Sequence, residues 1–207
     1  MDTKKNQISR GRPSMKARHL ELLLPLGIFQ QKEAINAGVS APTLSRLVKD
    51  GLILRLEQDI YRHPEADVDP NTEEFVIACK KFGTQSVIGG PTAMFFYNLI
   101  DQPPGQIWVL VPPIKISKFK LYRCIRTKTD LTKGVNDHGI YRITNLDRTI
   151  VESFRYASKF GLETAIKAAI IAISQQLTTP SKIAKQARDL GLERSIAKYW
   201  EFLITAL

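Results

Sequence analysis

The tripeptide Gly38-Val39-Ser40 constrains this chain more than any other feature. A glycine that stops one short helical pattern, followed two residues later by a serine able to cap the next, joins two helices through a tight turn. Periodicity before it predicts helices over residues 14–24 and 30–37, the first ended by Pro25-Leu26-Gly27. After it a third helix runs from the Ser40 cap, with Pro42 tolerated in its first turn and Gly51 past its end. Residues 52–63 then hold two β-prone runs about Gln58-Asp59, which is a hairpin signal. Helix, helix, turn, helix and hairpin, in that order, predict a winged helix-turn-helix over residues 20–66.

The third helix has two usable faces. Leu44, Leu47 and Val48 fall on one side, and Thr43, Ser45, Arg46 and Lys49 fall largely on the others. Short polar groups near a helix N-terminus, with arginine behind them, suit major-groove base edges and the flanking phosphates. The same residues also suit a helix that merely solvates its outer face; the turn, the hairpin and the basic arm weigh toward DNA. In the hairpin, Arg55 or Arg62 would meet a phosphate, a contact that positions the protein without specifying sequence. Tyr61 reads as a packing residue.

Charge supports a nucleic-acid partner. Thirty Lys and Arg against twenty Asp and Glu give a formal charge of +10, and the excess is concentrated in two stretches. Residues 1–19, read as a basic flexible arm, carry Lys4, Lys5, Arg10, Arg12, Lys16 and Arg18 against Asp2; residues 115–133 carry seven basic side chains against Asp130. Each phosphate neutralised releases condensed counterions, so such stretches favour nucleic acid, DNA or RNA alike. Within the arm, Arg10-Gly11-Arg12-Pro13 matches the core of an AT-hook, in which an Arg-Gly-Arg segment lies in a narrow minor groove. A basic tail binding phosphate without preference is the other reading of Arg10 and Arg12.

The character of the chain changes near residue 66, and Pro64 to Pro70, with its acidic residues and flanking prolines, reads as a linker. The remainder, residues 71–207, is expected to be a larger α+β domain with a helical C-terminal part, long enough to bury its own core. Helices are expected at 72–82 and 92–99, and strands at 86–88, 107–111, 118–125 and 139–143. Further helices follow at 147–160, 162–177, 181–190 and 194–206. The run from Ala165 to Ile173 is apolar nearly all round, so its helix should be central and buried. Asp147 is placed to cap the helix it precedes, and Arg148 and Glu152, four apart, suit an exposed intrahelical pair or an anchor between elements.

No pattern points to catalysis. His19, His63 and His138 stand apart from Cys or carboxylates at metal-ligand spacing. Gly89-Gly90 lacks the other glycines and the lysine of a phosphate loop, and there is no Gly-x-Ser-x-Gly elbow. Asp101 and Lys115 across an intervening strand faintly resemble a nuclease, yet the Asp101-Gln102-Pro103 turn accounts for the aspartate. Neither an enzyme, a metal nor a cofactor is therefore expected. Cys79 and Cys124 suit two inert thiols in a reducing cytoplasm, and the longest apolar run, residues 168–173, is too short for a bilayer.

Three segments resemble the AbiEi-type antitoxins, transcriptional regulators of type IV toxin–antitoxin and abortive-infection loci. Residues 38–64 resemble that family's winged head, its wing ending in Tyr61-Arg62. Gly90 to Pro103 is similar to a helix running into an Asp-Gln-Pro turn, and Asp147-Arg148-Thr149-Ile150-Val151-Glu152 is similar to the family's Arg-Thr-Leu-Val-acidic helix start. Together they span roughly residues 20–160. Asp59 and Asn98 stand where the family commonly has glycine, and the Arg-Gly-Arg-Pro arm is not a family feature. The resemblance implies a repressor of its own operon, binding double-stranded DNA at promoter repeats. It also implies an antitoxin that counters a neighbouring nucleotidyltransferase-like toxin without a stable complex. The alternative is a winged-helix regulator with a ligand-sensing C-terminal domain and no toxin partner.

Overall fold

The computed structural model describes residues 14–113 and 119–205. The chain divides into two compact units, Met1–Asp69 and Pro70–Leu207. Each is built from helices and one sheet, so the protein is α+β.

In the first unit the Ser14 hydroxyl accepts a bond from Ala17 N at 3.2 Å and starts α1, Met15–Leu23. Residues 15–19, at the end of the stretch read as an arm, are therefore helical. Pro25 sits in a single 3-10 turn, Leu24–Leu26, and the chain extends into β1, Ile28–Gln30. Then come α2, Gln31–Asn36, and α3, Ala41–Lys49, followed by the hairpin of β2, Leu54–Glu57, and β3, Ile60–Arg62. Gly38 makes the turn between α2 and α3 at φ +93°, where a side chain would strain the backbone. The sheet order is β1-β3-β2, antiparallel throughout, with Phe29 opposite Tyr61. Strand β1 was not anticipated: three residues are too few to show alternation. Leu23, Phe29, Ala34, Val39, Leu44 and Leu47 form most of the core, with Ile53 and Tyr61 closing it. Phe29 stacks on Tyr61, ring centroids 5.9 Å apart.

The second unit carries a mixed five-stranded sheet ordered β6-β5-β4-β8-β7. Its strands are β4, Val87–Ile88; β5, Ile107–Val111; β6, Tyr122–Arg126; β7, Val135–Asp137; and β8, Arg142–Thr144. Pairs β5/β6 and β4/β8 are parallel, and β4/β5 and β7/β8 antiparallel. Strand β7 had no signal, being short and mostly exposed. Two helices precede β5: α4, Glu73–Phe82, and α5, Gly90–Phe96. The helix expected at 92–99 thus starts at Gly90, whose φ is +53° and whose Cα faces the Trp108 indole; a Cβ there would lie 3.0 Å from the ring. Gly89-Gly90 is a packing element.

Among the described residues six helices complete this unit: α6, Leu146–Arg155; α7, Ala157–Phe160; α8, Leu162–Ser174; α9, Pro180–Leu190; α10, Glu193–Ile196; and α11, Trp200–Thr205. Two expected helices are interrupted. The one at 147–160 breaks at Tyr156, and the one at 194–206 breaks at a 3-10 turn, Ala197–Tyr199. The central helix is α6, buried at every position from Arg148 to Phe154, and not α8. In α8 the alanines Ala165, Ala168, Ala169 and Ala172 pack against α6 and its neighbours while Glu163, Lys167 and Ile170 stay exposed. Apolar composition misled there because alanine covers so little area that only one stripe of the helix is enclosed. The N-cap of α6 is Asn145, whose side chain accepts from Arg148 N at 2.8 Å; Asp147, one residue inside, accepts instead from the Thr178 hydroxyl.

Candidate nucleic-acid interface

Helix α3 owes its start to Ser40, whose hydroxyl accepts from Thr43 N at 3.4 Å and lies 2.9 Å from Thr43 Oγ1. Leu44 and Leu47 are 1% and 2% exposed and fix which side of α3 faces the core. Ser45, Arg46 and Lys49 are left on the solvent side. Arg46 makes one long bond from Nε to Pro42 O, 3.4 Å, which leaves the tip of its guanidinium available. Thr43 differs from its expected role: it is half-buried, with its hydroxyl engaged by the cap.

The C-terminal end of α3 is tied down by a contact that sequence reasoning missed. Lys16 Nζ in α1 meets Asp50 Oδ2 at 2.8 Å, and that bond holds the Asp50 carboxyl below its ordinary value. Without Lys16, Asp50 would sit beside Arg46 and Lys49 as an unpaired negative charge; with it, the cationic face is less compromised. The partners are 34 residues apart, so no local pattern could signal it.

Of the two hairpin arginines, Arg55 is exposed, with Nε bonded to Glu57 O at 3.4 Å. Arg62 is half-buried and directs Nη2 to Ala66 O at 3.5 Å, so it braces the chain leaving the hairpin. The structure places Ser45, Arg46 and Lys49 together on α3, and Arg55 on a separate element. Arg10 and Arg12 lie outside the described residues.

The turn between β2 and β3 is exposed but bonded to α2. Asp59 adopts φ +63°, which aspartate tolerates better than most residues, and its Oδ1 accepts from Gln31 N, 3.2 Å, at the start of α2. Aspartate at this position therefore both turns the chain and caps a helix. Asp59→Ala is expected to lose about 1–2 kcal/mol of stability, from the left-handed backbone and the lost cap together, and Asp59→Gly less. Urea unfolding followed by far-UV circular dichroism measures it; an alanine variant as stable as the wild type would remove both roles. Asn98 likewise sits at positive φ, +56°, after α5.

In the second unit, of the two readings of Arg148 and Glu152, an exposed pair or an anchor between elements, the structure has the anchor, and the pair is fully enclosed. Arg148 and Glu152 both have side chains 0% exposed, and Glu152 Oε1 accepts from Arg148 Nε at 3.2 Å and Nη2 at 3.0 Å. Arg148 Nη1 donates to the carbonyls of Asp130, at 2.7 Å, and Lys133. The pair is an anchor between α6 and the loop after β6. Burial pushes the Glu152 carboxyl above its ordinary value, with Arg148 opposing. His63 is buried and accepts from Glu65 N; His138 is exposed and stacks on Tyr141. Cys79 is buried and Cys124 half-buried, which raises both thiols. Among the described residues no three His, Cys, Asp or Glu side chains are placed to hold a metal ion, and no helix is long and apolar enough to cross a membrane.

No protein-family model and no curated protein sequence matches this chain. Among solved structures it is similar to the RV2827C protein from Mycobacterium tuberculosis, with a TM-score of 0.61 at 11% identity, over 96% of this chain and 78% of that one. At that identity the likeness is one of fold alone.

Proposed function

We propose that this chain is a sequence-specific DNA-binding repressor whose residues 20–66 act as a winged helix-turn-helix, with α3 as the recognition helix and the β2–β3 hairpin as the wing. The observation that carries the reading is the division of α3: Leu44 and Leu47 are sealed in the core while Ser45, Arg46 and Lys49 stand in solvent on one rigid element. A short polar side chain, an arginine able to fork onto a guanine edge and a lysine one turn on suit a major groove. Arg55 supplies a phosphate contact from the hairpin, and the net charge of +10 supplies the sequence-independent attraction. Thr43 and Arg62 have structural work first, which leaves Arg46 the principal reader.

The resemblance over roughly residues 20–160 extends the proposal: the protein represses its own operon and, through its second unit, counters a nucleotidyltransferase-like toxin in the cytoplasm, with no catalytic activity of its own. The two activities are separable. Arg46→Ala with Lys49→Ala should derepress the promoter while cells co-expressing the toxin from an independent promoter survive. Loss of survival with a folded variant would show that protection needs the DNA-reading face and would end the two-activity model. On DNA alone, Lys49→Ala should weaken binding to all sequences alike and lower the slope of log affinity against log salt by about one.

A further inference from the structure

We propose that the cleft beyond the carboxyl ends of β5 and β6 binds a small phosphate monoester that also carries a hydroxyl, the chemistry shared by sugar phosphates and nucleoside monophosphates. The cleft has a volume of about 500 Å³, within the range of small-molecule sites. Pro112 and Pro113, which follow β5, form one wall, and Thr127 to Thr132, which follow β6, form the other. Crevices of this kind, past the carboxyl ends of parallel strands, are where open sheets take ligands. Because the cleft lies within the second unit, the inference stands or falls independently of DNA reading.

Donor polarity selects the ligand. Thr127 Oγ1 accepts a bond from Thr129 N at 3.0 Å, and Thr129 Oγ1 accepts one from Arg155 Nη1. A guanidinium can only donate, so the half-buried Thr129 hydroxyl is left with its own hydrogen to give, whereas the buried Thr127 hydroxyl is turned to Tyr156 and shapes the turn. Beside Thr129 stands Lys128, exposed and without a partner among the described residues. A hydroxyl donor and an ammonium on successive residues suit the oxygens of a phosphate. Arg142, lining the same cleft, adds charge while its Nη atoms hold Thr84 O and Leu131 O at 3.1 and 2.6 Å.

The one carboxylate in the lining selects further. Asp130 Oδ1 accepts from Thr132 N and Thr132 Oγ1, both at 2.7 Å, and Oδ2 has no hydrogen bond among the described residues. A hydroxyl on the ligand's carbon skeleton can donate to that oxygen without bringing a phosphate's negative charge beside the carboxylate. Pro112, Pro113 and Leu131 give the carbon skeleton an apolar surface. The site is also held in shape before any ligand arrives: Arg148 grips the carbonyls of Asp130 and Lys133, Arg142 grips that of Leu131, and Arg155 grips Thr129. Such preorganisation lowers the entropy lost on binding.

Isothermal titration calorimetry of the intact chain at fixed ionic strength tests this, with ribose 5-phosphate, adenosine monophosphate, ribose and inorganic phosphate as titrants. Both phosphate esters should saturate a single site; ribose and inorganic phosphate should bind at least about tenfold more weakly, as expected when hydrogen bonds to a charged group or to its neighbour are lost. Lys128→Gln, at an exposed position, and Thr129→Val should each weaken the esters about tenfold, and Arg46→Ala with Lys49→Ala should bind them like the wild type. Tighter binding of the nucleotide than of the sugar phosphate assigns the apolar wall to a base; equal binding assigns the site to sugar phosphates. Absence of saturable ester binding, inorganic phosphate binding as tightly as the esters, or esters binding Lys128→Gln and Thr129→Val unchanged would overturn the proposal.

Discussion

Arg148→Ala should destabilise the second unit by about 3–5 kcal/mol, the usual consequence of removing one member of a buried ion pair. The loss has two sources. Glu152 would be left charged inside α6 with its last hydrogen-bond donors gone, since Oε2 already has none, and the carbonyls of Asp130 and Lys133 would lose their shared donor. The effect carries a pH signature. Burial gives the Glu152 carboxyl a higher pKa in the fold than in the unfolded chain, so the folded state holds this proton over an interval where the unfolded state has released it. Stability from this group is therefore greatest below the ordinary glutamate value and falls as pH rises toward the folded one. Without Arg148 that interval extends upward, and the variant should lose less stability at pH 5 than at pH 8. Arg148→Met combined with Glu152→Leu should recover much of the loss at neutral pH, because an apolar pair leaves no unpaired charge. Urea unfolding read by tryptophan fluorescence measures all of this in the right place, since Trp108 and Trp200 both belong to the second unit. A single variant as stable as the wild type would mean that the pair is not an anchor.

Phe29→Ala should abolish DNA binding without touching α3. Phe29 is 0% exposed, stacks on Tyr61 and pairs with it across β1 and β3, so its removal leaves a cavity in the middle of a small core. Truncating a buried phenylalanine costs about 3–5 kcal/mol, which is comparable with the whole stability of a unit this size. The expected result is a loss of far-UV dichroism with the tryptophan transition unchanged, together with loss of affinity for every DNA sequence. Retained dichroism and binding would show that the sheet does not support α3.

How much of this could be read in advance depended on range along the chain. The boundaries of α2 and α3 and the turn at Gln58-Asp59 follow from caps and glycines within a few residues, and the sequence carries those signals openly: Ser40, Pro42, Gly38 and Gly51. Strand β1 exists because Phe29 finds Tyr61 more than thirty positions away, and no periodicity in three residues reports that. Arg148 and Glu152 were visible as a pair at helical spacing, but not as a buried one, because the carbonyls that make burial tolerable belong to residues 130 and 133 in a loop. At the candidate interface the exposure of Ser45, Arg46 and Lys49 was legible from the apolar side of α3. The internal duties of Thr43 and Arg62 were not, since they depend on hydrogen bonds whose geometry no spacing encodes. The cap of α6 shows the limit at its smallest: Asn145 and Asp147 are equally suitable by type, and only the backbone decides between them.

The proposed reading face can be tested without knowing the operator. Random-sequence duplexes bound by the intact protein at physiological salt would be recovered and sequenced, with the wild type and Arg46→Ala compared side by side. The wild type should enrich a defined motif containing a preferred guanine. Arg46→Ala should lose preference at that position, by about 1–3 kcal/mol of discrimination, while keeping the rest of the motif. A wild-type pool with no enriched motif, or a motif identical in the two proteins, would contradict the assignment of α3 as the element that reads DNA.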